Sequence, residues 1–339
     1  MSNWKGKRVL ITGVCGTVGK ELLNQLLKKN VSQVVGFDHN ENALFFLNQK
    51  YTDTSNVKLV LGDIRDRFEV KKLMNGIDIV LHTAALKHVE MCENAPRDAV
   101  QSNITGTQNI IDAAIDCEVK RVLFTSTDKA VNPTNVMGTT KLMAERLVTA
   151  AQMQSWGTDT KFFSTRFGNV LGSDGSVIQL FHQQITSGQA VTLTHTDMSR
   201  FIMSLSDAVN LVMESVFLAC GGEVFVMKMS AINIIDIAEV MIEELSTKES
   251  KVEIKEIGIK PGEKMYEELL SSEEVRRTIE LENYYVVKPA FSKIYNKLSY
   301  VYKNVISDSI STPYTSNNQK SLEKEEVRSF LKKNLLLAN

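Results

Sequence analysis

The chain has 339 residues, 43% hydrophobic and 23% charged, which is enough for one large α/β domain with a smaller one attached. Its 39 basic and 40 acidic residues leave a net charge of −1, so no basic field exists to hold a nucleic acid backbone or an anionic membrane surface. Cys15, Cys92, Cys117 and Cys220 form no CxxC pair and the five histidines are scattered. That pattern predicts reduced thiols in a cytoplasmic protein, no disulfide scaffold and no metal. The first residues contain no apolar signal segment, and no uninterrupted apolar run is long enough to span a bilayer.

Short apolar, β-branched runs predict strands at 8–12, 33–37, 57–61, 78–82, 121–125 and 161–166. Helical patterns follow each in turn: to about residue 29, then at 42–50, 66–74, 95–117 and through Lys141 to about residue 154. This alternation predicts an α/β fold with a doubly wound parallel Rossmann sheet. Beyond residue 170 it loosens: helices at 175–187, 206–219 and 232–245 are interspersed with strands at 190–194, 223–227 and 252–257. The expected division is a dinucleotide-binding domain over 1–170 with the catalytic stretch, and a smaller α/β substrate lobe over 171–300 with some chain returning to the sheet. Residues 301–339 complete it: the Ser/Thr/Asn-rich composition of 307–321 predicts an exposed linker, and a helix at 322–337 packs on the body or on a partner subunit.

Between the first strand and first helix lie Gly13, Gly16 and Gly19, with Thr17 and Val18 among them. Glycines at this spacing let the backbone turn tightly and approach a pyrophosphate, and the helix N-terminus offers it free N–H groups. Asp38 ends the second strand, where its carboxylate can accept from ribose hydroxyls and would repel a 2′-phosphate, favouring NAD over NADP. Asp63 suits an adenine amino group; Ile64 beside it, and Ala84 and Ala85 after the fourth strand, complete the cofactor set.

Thr127, Asp128 and Lys129 follow the fifth strand, at the carboxyl end where ligands bind in open α/β sheets. Each also has a structural reading: a turn hydroxyl, a helix cap and a solvated charge. The G-x-x-G-x-x-G spacing together with Lys141 resembles the extended short-chain dehydrogenase/reductase family over roughly residues 7–290. That resemblance implies a Tyr-x-x-x-Lys pair in which lysine binds ribose and tyrosine is the base. Here Lys141 is present and Met137 holds the tyrosine position; a thioether has no proton to give.

Further stretches narrow the resemblance: 84–89 (AALKHV), 126–130 (STDKA), 166–170 (RFGNV), 175–177 (GSV), 198–201 (MSRF) and 260–264 (KPGEK). They resemble the UDP-N-acetylglucosamine 4,6-dehydratases of polysaccharide biosynthesis, in the configuration-retaining type that carries methionine. The resemblance implies tightly bound NAD that takes a hydride from C4, loss of water across C5 and C6, and hydride return to C6, so that the cofactor is regenerated each turnover. Asp128 would then protonate the departing O6. Lys129 would be the base at C5 if desolvation or Lys141 lowers its pKa. Thr127 would relay the O4 proton to Asp128, and Lys141 would stabilise the developing oxyanion. Asn169 and Arg200 resemble the residues that hold the diphosphate; Lys87 and Glu263 lie in motifs that face the sugar or uridine. The resemblance also implies a homo-oligomer. Two other readings stay open, a nucleotide-sugar C4 epimerase and an NAD-binding protein without catalysis.

Overall fold

A parallel sheet covered on both faces needs strands that are apolar on both sides. The computed structural model describes residues 3–155, 158–173, 175–246, 252–291 and 298–337; the parts of the expected segments at 1–2, 156–157, 174, 247–251, 292–297 and 338–339 lie outside the described residues. The first strands are β1 (Arg8–Thr12), β2 (Gln33–Asp38), β3 (Val57–Leu61), β4 (Ile79–His82), β5 (Arg121–Thr127) and β6 (Lys161–Phe167). They are parallel, in the order β3-β2-β1-β4-β5-β6. Between them run α1 (Thr17–Leu27), α2 (Glu41–Lys50), α3 (Arg67–Met74), α4 (Val89–Asn94), α5 (Pro96–Ala99), α6 (Gly106–Asp116) and α7 (Val136–Gln154). This is the expected doubly wound α/β sheet, and its order reverses between β1 and β4, where a ligand crevice opens.

The rest of the chain forms β7 (Asn169–Val170), α8 (Val177–Thr186), β8 (Val191–Leu193), β9 (Ser199–Met203), α9 (Leu205–Leu218), β10 (Val224–Met227), β11 (Ser230–Asn233) and α10 (Ile234–Leu245). After these come β12 (Ile254–Glu256), β13 (Glu268–Leu270), β14 (Thr278–Leu281), β15 (Tyr284–Val287), β16 (Val305–Ser307), β17 (Tyr314–Thr315) and α11 (Lys324–Lys333).

Alternation along β1 divides the core. Val9 and Ile11 pack with Leu22, Leu26 and Leu211 on one face; Leu10 packs with Ile110, Ile111 and Val148 on the other. A third core lies under α8 and α10. Val327 and Leu331 of α11 are buried in it, so the terminal helix packs on the body of its own chain.

Three expectations change. The single helix expected over 95–117 is divided: Ala95, at φ −133°, ends α4, Pro96 opens α5 at a position that needs no N–H, and a π-helical turn at Val100–Thr105 leads into α6. The 223–227 strand, read as part of the smaller lobe, is β10, which pairs in parallel with β6 and carries β15, β14 and β16 into a ten-stranded sheet. The stretch 307–321 is not an exposed linker throughout. Tyr314 and Thr315 pair with β13, and the fully buried Ser316 bonds the Ser199 hydroxyl at 2.8 Å and accepts from the Glu267 N–H at 3.0 Å. A hydroxyl whose hydrogen bonds are satisfied in this way can be fully buried.

Candidate active site

The turn from β1 to α1 is built around close backbone contacts. Gly13 has φ +72°, and a Cβ there would lie 2.8 Å from the backbone of Ala84. A Cβ on Gly19 would lie 2.2 Å from the Gly13 carbonyl oxygen. Both positions therefore require glycine. Gly16 caps α1 without a side-chain bond, and the first turn, which includes Thr17 and Val18, has no acidic residue. The N-terminal partial charge thus faces the crevice without an internal anion.

Asp38 stands at the end of β2 beside this turn. It accepts from the Cys15 N–H at 2.9 Å and the Asn40 N–H at 3.0 Å, which fixes its carboxylate. Burial and the Asp38 charge push the Cys15 thiol up to about 12, so it stays protonated. Asp63 is gripped by Arg65, whose Nε and Nη2 reach Oδ2 at 2.9 and 2.6 Å, and this contact holds its pKa below the ordinary carboxylate value. The side chain of Ile64 is buried in the core under Gly106, while Asn109 donates to the Ile64 carbonyl at 3.0 Å. Ala84 and Ala85 follow β4, and Asn103 of the π-helical turn fixes the next residue. It accepts from the Leu86 N–H at 2.8 Å and donates to the Leu86 carbonyl and to Thr140, both at 3.0 Å. The glycine cradle, the uncapped helix and the fixed Asp38 carboxylate together fit a dinucleotide.

At the end of β5 the Oδ1 atom of Asp128 collects three donors. They are the Thr127 hydroxyl at 2.8 Å, the Lys129 N–H at 2.8 Å and the Lys129 ammonium at 3.1 Å. Oδ2 is buried without a protein partner. The same ammonium meets Oε1 of Glu267 at 3.1 Å, and the Arg200 Nε lies 3.6 Å from that oxygen. Glu267 is buried, and its Oε2 also lacks a protein partner. Burial of the carboxylate raises the Glu267 pKa, Lys129 opposes the rise, and Asp128 adds to it.

The two lysines differ from expectation. Burial pulls the Lys129 pKa down, but Asp128 and Glu267 outweigh it, and the net direction is up. The condition on which Lys129 was to act as a neutral base is therefore not met in the free protein. Lys141 is the lowered amine: burial brings it to about 7, with Glu145 opposing. Its Nζ donates to the Thr125 carbonyl at 2.5 Å and lies 4.2 Å over the Phe124 ring. Met137, one turn earlier on α7, is buried in an apolar cluster with Cys92 and Ala99.

Of the residues expected to hold substrate, Asn169 has its Oδ1 buried without a protein partner. Arg200 is not left open: it donates to the Ser199 carbonyl at 2.8 Å and to the Met198 sulfur at 2.7 Å, besides facing Glu267. Lys87 is exposed on the loop after β4, and Glu263 is half-buried, its Oε2 accepting from the Lys260 N–H at 3.4 Å.

The loop carrying Glu263 is stitched onto the segment after Lys129. The Thr134 hydroxyl and the Asn135 amide both donate to the Gly262 carbonyl at 2.9 Å. Lys264 reaches the Val131 carbonyl at 2.8 Å, and Asn132 reaches Glu268 at 2.9 Å. These bonds deliver Glu267 to Lys129. Sequence reasoning ended its motif at Lys264 and missed Glu267; a single glutamate just ahead of the three-residue strand β13 carries no pattern of its own. Arg166, named in the 166–170 motif but given no role there, is buried between Glu145 of α7 and Glu274 and donates to the Leu269 carbonyl at 2.8 Å.

The fold is shared by solved nucleotide-sugar dehydratases and epimerases. The family described as "Polysaccharide biosynthesis protein" matches residues 9–289, and the chain belongs to it. An uncharacterized membrane protein of Methanocaldococcus jannaschii is 44% identical over 97% of this chain and 96% of that one. A protein of Rickettsia rickettsii named UDP-glucose 4-epimerase is 37% identical over 96% and 95%. The X-ray structure of Pen from Bacillus thuringiensis superposes with a TM-score of 0.91 at 42% identity, covering 98% of both chains. Among the described residues, no helix is long and apolar enough to cross a membrane.

Proposed function

We propose that the protein is an NAD-dependent 4,6-dehydratase of UDP-N-acetylglucosamine that retains configuration at C5. The observation that carries this reading is the pair of buried carboxylates Asp128 and Glu267 held on the half-buried ammonium of Lys129, with Met137 where a phenol would stand. An elimination across C5 and C6 needs acid/base groups beyond the one acting at O4, and this set supplies them. Gly13, Gly16, Gly19 and Asp38 would hold NAD, and Lys141 its ribose; bound NAD would supply hydride acceptance at C4 and donation at C6.

Thr127 passes the O4 proton to Asp128 through their 2.8 Å bond. Asp128 then gives that proton to O6, which leaves as water. The C5 proton is taken and returned on one face, which retains configuration. Asn169, Arg200, Lys87 and Glu263 are assigned to the UDP-sugar.

The second reading is a C4 epimerase, favoured by the name of the Rickettsia relative. An epimerase needs no acid/base group at C5, and the Lys129–Glu267 pair would have no task. Incubation of the purified protein with NAD and UDP-N-acetylglucosamine, followed by product mass, separates the two. Loss of one water is the expected result; an isomer of unchanged mass would establish the epimerase.

A further inference from the structure

Resting on the dehydratase reading, we propose that Glu267, rather than Lys129, is the base that removes the C5 proton. Two carboxylates touch one ammonium: Asp128 Oδ1 and Glu267 Oε1 each lie 3.1 Å from the Lys129 Nζ. An ammonium held between two anions does not release its proton easily, and it has no lone pair with which to attack a C–H bond. Each carboxylate keeps one oxygen, Asp128 Oδ2 and Glu267 Oε2, buried without a protein partner. Such an atom is destabilising unless a ligand group or a water meets it. Asp128 is already occupied with the oxygen-bound protons, through its bond to Thr127. Glu267 is the remaining carboxylate.

The charged groups facing Glu267 are Lys129, Asp128 and Arg200. Burial, the larger effect, and Asp128 raise its pKa and strengthen it as a base, while Lys129 and Arg200 oppose the rise.

The step balances without a further reactant. Once C4 is a ketone, the C5–H bond breaks and its proton goes to Glu267. The electron pair forms the C5=C6 double bond as the C6–O6 bond breaks, and O6 leaves with the proton from Asp128. The Lys129 ammonium stabilises negative charge gathering on the C4 oxygen. After C6 is reduced, Glu267 returns its proton to C5. Glu267 thus supplies a carboxylate to the chemistry from a segment far along the chain, brought in by the bonds from Thr134, Asn135 and Lys264.

The test is exchange of the C5 proton in deuterated water, followed by proton NMR alongside product mass, for wild type, Glu267→Gln and Glu267→Asp. Glutamine keeps the shape and loses the base, so exchange and turnover fall together by about 10²–10⁴-fold, and aspartate restores part of the loss. The wild-type exchange rate rises through the acidic to neutral range and then levels, as for a carboxylate. If Lys129 is the base, Glu267→Gln frees its amine at lower pH, exchange holds or rises, and the proposal is overturned. Amine labelling of Lys129, read by peptide mass, shows that Glu267→Gln is folded and has lost the contact: Lys129 then reacts at lower pH than in wild type. Unchanged labelling would overturn the contact on which the proposal stands. A wild type that releases no water overturns the dehydratase reading, and this assignment with it.

Discussion

The guanidinium of Arg166 meets the carboxylate of Glu145 through two parallel bonds of 3.0 and 2.7 Å, with both side chains 1% exposed. Glu274 takes the other edge at 2.9 and 2.7 Å. One arginine thereby ties α7, which carries Lys141, to the segment just after Glu267. Arg166→Met leaves two carboxylates facing each other in the interior. The expected loss is about 3–5 kcal/mol, visible as a lower Tm or denaturation midpoint. Burial would raise the Glu274 pKa, but Arg166 outweighs it and holds the group at about 2. Its contribution is therefore complete above the ordinary glutamate value and is lost as pH falls toward 2. Denaturation of the wild type across that interval shows this loss, and Arg166→Met does not.

Lys141 produces a slope of the opposite sign. Its folded pKa of about 7 lies below the ordinary lysine value. Between the two, the unfolded chain binds a proton that the folded chain does not, so stability rises with pH from about 7 toward 10. The penalty is full below about 7. Lys141→Met removes the slope, so urea midpoints measured near pH 6 and near pH 9 differ less for the variant than for wild type.

Met137 is buried in an apolar cluster with Cys92 and Ala99, against which Leu86, Val89 and Val136 pack. Met137→Tyr overfills the cluster. The expected outcome is a loss of about 1–3 kcal/mol in stability and no gain in turnover. A rate increase would show that the site lacks only a phenol base.

Asp128→Asn preserves the shape of a side chain that collects three bonds on one oxygen. Under the proposed dehydratase mechanism it removes the proton carrier between O4 and O6. Turnover is expected to fall about 10²–10⁴-fold while NAD affinity, measured by titration, is unchanged, because the glycine turn and Asp38 are untouched. Full activity in this variant would remove Asp128 from the mechanism.

The sheet was legible because its signals are local. Apolar runs such as 8–12 and 121–125 are buried on both faces, and each glycine of the first turn meets backbone a few residues away or directly across the strand ends. The division of 95–117 was legible only in Pro96, which marks a helix start as well as a break. The hydroxyl-rich 307–321 misled because composition reports solubility and not partners: Ser316 is buried by bonds to residues far away in sequence. The protonation of Lys129 was unreadable for the same reason. Asp128 beside it is visible in the sequence, but Glu267 becomes its neighbour only through the stitching at Gly262 and Lys264.

That stitching joins residues 127 to 136 positions apart, as Asn135 to Gly262 and Asn132 to Glu268. Contacts so distant close long loops and form after local ones. A nascent chain can assemble the βα units of the sheet first, and the contact of Lys129 with Glu267 waits for the last third to fold. A chain that has not yet reached that point carries Asp128 and Lys129 without the Glu267 partner.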